Sequence, residues 1–92
     1  MEVKKILLKD IAKIQRLEMQ IFAEEDGFPV DYRVVKNKER AIYNILNKTT
    51  KDWKEWEKIR SCIYKNMWNQ EDITYKPICN ALRELGYEII EG

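Results

Sequence analysis

Apolar residues recur along this chain at roughly helical spacing, and the phase of the recurrence changes at a few points marked by turn-forming residues. Val3, Leu7, Ile11, Ile14, Leu17 and Ile21 fall on one face of a helix, opposite Lys5, Lys9, Arg16 and Gln20. The unbroken phase predicts one amphipathic helix over residues 3–24, ended by Gly27 and barred from resuming by Pro29. Asp10 offers an alternative start as an N-cap, which leaves residues 2–8 as a short strand.

Asp31 is a fitting N-cap for a second helix, in which Val34, Val35, Ala41, Ile42, Ile45 and Leu46 share a face and which runs to about residue 48. The strand-favouring Tyr32, Val34 and Val35 leave open an extended first half, with Asn37 capping a shorter helix. Thr49 followed by Asp52 has the spacing of a capping box and predicts a third helix to about residue 68, centred on Trp56, Ile59, Ile63 and Met67. Thr74 can cap a fourth, with Pro77 in its tolerant first turn, Ile78, Ala81, Leu82 and Leu85 facing inward, and Gly86 as its stop. Residues 87–90 read as extended and need a pairing partner, either residues 32–35 or the extreme N-terminus. The expected fold is mostly α: a compact single domain over residues 1–92 with three to four helices and a short two-stranded β edge at the C-terminus, or α+β as the alternative.

Composition sharpens this picture. A chain of 92 residues that is 45% apolar and 36% charged, with three Gly and two Pro, is too hydrophobic for disorder and too poor in turn formers for a β-sandwich. The sequence has no His, which removes the commonest general base and the commonest metal ligand. Cys62 and Cys79 have no CxxC spacing and no companion ligands, so they read as reduced, partly buried thiols. Ser61, the sole serine, sits mid-helix without a base, and neither GxGxxG nor GxxxxGK[ST] occurs. No enzymatic activity, cofactor or metal is expected. No apolar run has the length of a signal peptide or a membrane span, so the expected setting is the cytoplasm without membrane contact. The abundance of Lys, Ile and Asn is associated with AT-rich bacterial, archaeal or phage genomes.

Net charge is +1, but the charge is unevenly placed. Residues 28–70 hold ten basic and five acidic side chains, whereas residues 71–92 hold two and five. On the third helix Lys51, Lys54, Lys58 and Lys65 lie in a narrow arc opposite Trp56 and Ile63, a ridge about 21 Å long at 1.5 Å per residue. Such a ridge suits an acidic protein face or successive phosphates, or serves as the solvated side of an amphipathic helix with Glu55 and Glu57 at its border. Trp68, with Tyr64, projects toward the Lys side and is the candidate aromatic anchor, the alternative being a satellite core residue. Glu24, Glu25 and Asp26, and again Glu71 and Asp72, follow helix C-termini, where the macrodipole disfavours carboxylates. They are either an acidic rim for a basic partner or solubilising loop charge.

The stretch ITYKPICNALRELGYEII, a capped helix ending in Leu-Gly before Tyr-Glu-Ile-Ile, resembles the recognition helix and first wing strand of winged helix-turn-helix proteins over about a fifth of the chain. It departs from them in the acidic Glu84, in the basic surface lying on the third helix, and in the long loop after Asn69. The resemblance implies a nucleic-acid-binding module. The favoured expectation is instead a small interaction protein, accessory subunit or regulator or inhibitor of a larger complex, docking on a protein partner through residues 50–68. Nucleic-acid binding is the alternative, and a homo-oligomer joined by the heptad-like seam of the first helix is a third reading.

Overall fold

The computed structural model describes residues 4–68 and 75–91. The order is β1 (Lys4–Leu7), α1 (Leu8–Asp26), α2 (Tyr32–Leu46), α3 (Trp53–Asn66), α4 (Lys76–Glu84) and β2 (Tyr87–Ile90). The mostly α architecture with a two-stranded edge is as the sequence predicts.

The first helix does not begin at residue 3. The chain is extended over Lys4–Leu7 and turns helical at Leu8, with Leu7 in the N-cap position and Asp10 buried in the first turn. Helical phase continues through the strand because Leu7 and Ile11 are four apart in either conformation; pairing with β2 overrides it. The two strands are parallel, with Lys4 opposite Tyr87, Ile6 opposite Ile89 and Leu7 opposite Ile90. Of the two partners considered for residues 87–90, the N-terminal one is therefore realised, and Tyr32 to Val35 belong to α2 instead. Parallel pairing with β1 also differs from the antiparallel hairpin of a wing.

Local capping explains the other boundaries. Asp31 caps α2, accepting from the Arg33 N–H at 3.0 Å. The cap of α3 is Asp52 rather than Thr49: its Oδ1 accepts from the Lys54 N–H at 3.0 Å, while the Thr49 N–H still closes the end of α2 on the Leu46 carbonyl at 2.9 Å. Pro77 lies in the first turn of α4 as expected, whereas the proposed cap Thr74 is outside the described residues. Gly86 stops α4 at φ +98°, a left-handed conformation that glycine alone adopts without a Cβ penalty.

One hydrophobic core joins all six elements. Ile6, Ile11, Ile14, Ile42, Leu46, Ile59, Ile63 and Leu82 are its fully buried members. α2 packs mainly on α1, while α3 bridges α1 and α4, and β2 rests on α4. Ile11, Ile14 and Ile21 are buried within the monomer, so the stripe considered as an oligomer seam is consumed by the chain's own core. Among the described residues no helix is long and apolar enough to cross a membrane.

Two polar clusters pin the helices in register. Arg60 on α3 donates from Nε to Glu18 of α1 at 2.7 Å, and from Nη1 to Glu39 at 3.1 Å and the Tyr43 hydroxyl at 2.8 Å on α2. Burial pulls the guanidinium pKa down, but the hydrogen bond and charge of Glu18 outweigh it and hold Arg60 firmly ionised. At the sheet, the Tyr87 hydroxyl donates to Glu55, which also meets Lys4 at 3.5 Å and Lys58 at 3.8 Å. The Tyr87 bond holds the Glu55 carboxyl below its ordinary range against the effect of burial, with Lys4 and Lys58 assisting.

Candidate functional site

The lysines of α3 acquire a second wall when α4 packs beside them. A groove of about 610 Å³ runs between the two helices, lined by Lys54, Glu57, Lys58, Ser61, Cys62, Lys65 and Asn66 from α3 and by Ala81, Glu84 and Leu85 from the α4 side. Three of the four predicted ridge lysines therefore meet at one place. Lys51 lies outside the groove, exposed in the turn before α3.

The groove combines an apolar base with a charged rim. Cys62 is buried, Ala81 half-buried, and Leu85 is 50% exposed, an unusual degree for a residue on the apolar stripe of its helix. Lys58 is tied to Glu55, whereas Lys54 and Lys65 have no ion-pair partner among the described residues. Asn66 donates from Nδ2 to the Cys62 carbonyl at 2.7 Å, which fixes the C-terminal corner of the groove.

Both cysteines are free. Burial pushes the Cys62 thiol up, Glu84 pushes it further, and Lys65 acts against them. Burial likewise raises Cys79, with Arg83 opposing and Glu91 adding. A raised thiol is a poor nucleophile near neutrality, because the reactive thiolate is scarce. Among the described residues no cluster of three potential metal ligands occurs.

The aromatic pair predicted beside the lysines faces another way. Trp68 is half-buried, packed against the core, and meets Phe22 of α1 edge-on at 4.9 Å and Tyr64 at 5.6 Å. Tyr64 and Phe22 remain 39% and 44% exposed, so the cluster is a bracket between α1 and α3 with a partly open outer side. Trp68 is thus the satellite core residue of the two readings and does not line the lysine groove. Of the acidic rim, Glu24 accepts from the Asp31 N–H at 3.1 Å and so closes the α1–α2 connection. Glu25 and Asp26 are exposed, while Glu71 and Asp72 lie outside the described residues.

Sequence reasoning missed the α4 wall of the groove and the Arg60 cluster. Glu18 had a signal: it is a carboxylate four residues after Ile14 and three before Ile21, inside an apolar stripe. No protein-family profile matches this sequence, and no significant match was found among characterised proteins or solved structures.

Proposed function

We propose that the protein is a non-enzymatic interaction module that docks an acidic, amphipathic segment of a partner protein in the α3–α4 groove. In that role it acts as an accessory subunit or regulator of a larger complex in the cytoplasm. The observation that carries the reading is the groove itself, in which Lys54, Lys58 and Lys65 rim the exposed Leu85 and the buried Cys62. An apolar floor supplies affinity through burial, and a basic rim steers and orients an acidic ligand. The absence of His from the sequence and the raised Cys62 thiol support a binding role over catalysis.

A fluorescein-labelled peptide of roughly 16 residues, helical, with Leu on one face and Glu on the other, is a suitable probe. Anisotropy should show saturable binding that weakens about tenfold or more with Leu85→Asp, since a charge then occupies the apolar floor. Replacing Lys54, Lys58 and Lys65 together by Gln should slow association and flatten its salt dependence. Indifference of the peptide to both variants, or equal binding of a Leu/Gln peptide without charge, would refute the reading.

A further inference from the structure

The outer face of α2 carries a different chemistry from the groove. Arg33, Asn37, Arg40, Asn44 and Asn47 recur at intervals of three and four residues and so align along one side of the helix. Val35, Ile42 and Leu46 enter the core from the opposite side. All five polar residues are exposed, as are Lys36 and Lys48, which flank the line on either side. The line spans about 21 Å at 1.5 Å per residue.

Carboxylates are missing from this face for a structural reason. Glu39 is the one acidic residue of α2, and it is drawn to Arg60 at 3.1 Å. Asp31, at the N-cap, meets Arg33 at 3.6 Å. Lys36, Arg40 and Lys48 have no ion-pair partner among the described residues. Asn is a poor helix former, so Asn37 and Asn44 on an exposed helical face weaken the helix and are not accounted for by folding.

Arg and Asn are the side chains that pair two-fold with guanine O6/N7 and adenine N6/N7, and Lys meets phosphates as a point charge. A helix about 10–12 Å across fits a B-DNA major groove about 12 Å wide. We propose that α2 lies in the major groove of duplex DNA, with Arg33, Asn37, Arg40 and Asn44 facing base edges and Lys36 and Lys48 on the flanking phosphates. This goes beyond the α3–α4 groove and does not depend on it, since the two surfaces share no residue.

The test is anisotropy of a labelled duplex of roughly 20 base pairs against the intact chain, beside the same strand unpaired, over a salt series. The duplex should bind and be preferred over the single strand. Lys36→Gln, Arg40→Gln and Lys48→Gln together should weaken binding at least about tenfold and reduce the slope of log affinity against log salt by about 2 to 3. Asn37→Ala with Asn44→Ala leaves charge unchanged and favours the helix, so it should keep the slope while flattening the preference recovered from a randomised duplex pool. The Lys54, Lys58 and Lys65 to Gln set should leave duplex binding within about twofold. An unbound duplex, a single strand bound equally or better, retention of polyglutamate in place of DNA, or a larger loss from the α3 set than from the α2 set would each overturn the proposal.

Discussion

Replacing Arg60 by Met removes the guanidinium that joins α1, α2 and α3 while keeping much of its aliphatic stem. Glu18, with a side chain 6% exposed, then holds a carboxylate whose ion-pair partner is gone. Stranding a buried charge in this way costs about 3 to 5 kcal/mol. Glu39 is 35% exposed at its side chain and reverts to water, adding at most about 1 kcal/mol. A domain of this length has about 5 to 14 kcal/mol in total, so the loss is a large fraction of it. Glu18→Leu alone is milder, about 1 to 3 kcal/mol, because Arg60 keeps Glu39 and Tyr43. The double variant removes both buried charges and should therefore be more stable than Arg60→Met alone, a coupling of about 1 to 3 kcal/mol. Urea unfolding followed by tryptophan fluorescence reads the change, since Trp56 stacks on Tyr43 at 5.5 Å beside the cluster. Additive single losses, or a double variant weaker than Arg60→Met, would refute the account of Glu18 as a charge held by Arg60.

Ile63→Ala should cost about 2 to 5 kcal/mol in the same assay, because Ile63 is fully buried, whereas half-buried Leu17→Ala should cost less. Gly86→Ala has open space for its Cβ but a φ of +98°, so about 1 kcal/mol or more of backbone strain should appear in the denaturation midpoint without change of fold. The Tyr87–Glu55 bond predicts a pH profile with two flanks. Burial, then the hydrogen bond and charge of Glu55, raise the Tyr87 pKa, so its contribution is complete below the unfolded value of about 10 and is lost as pH climbs through the folded one. The Glu55 pKa is lowered, so its contribution is present above about pH 4.3 and is lost as pH falls through the folded value. Tyr87→Phe should lower stability by about 1 to 3 kcal/mol at neutral pH and weaken both flanks; an unchanged profile would contradict the assignment.

Local signals were read well where they decided the structure. The Asp31 cap, Pro77 in a first turn and the Gly86 stop each act within one helical turn, and α2 and α4 formed around them. β1 was concealed because Leu7 keeps phase with Ile11 and Ile14, while the partner that makes it a strand lies some eighty residues away at Tyr87. The lysine arc of α3 followed from spacing alone. Its groove did not, since the placement of Ala81, Glu84 and Leu85 beside Cys62 is set by tertiary packing. Trp68 was ambiguous for the same reason: its role depends on Phe22, which lies across the interface on α1.

Backbone amide shifts recorded during titration with the Leu/Glu peptide test the central claim most directly, because they locate the ligand without a mutation. The account predicts progressive shifts at Ser61, Cys62, Lys65, Ala81 and Leu85, which line the groove, with Asn37 and Asn44 on α2 unmoved. Shifts centred instead on Phe22, Tyr64 and Trp68, or no localised shifts at saturating peptide, would contradict it.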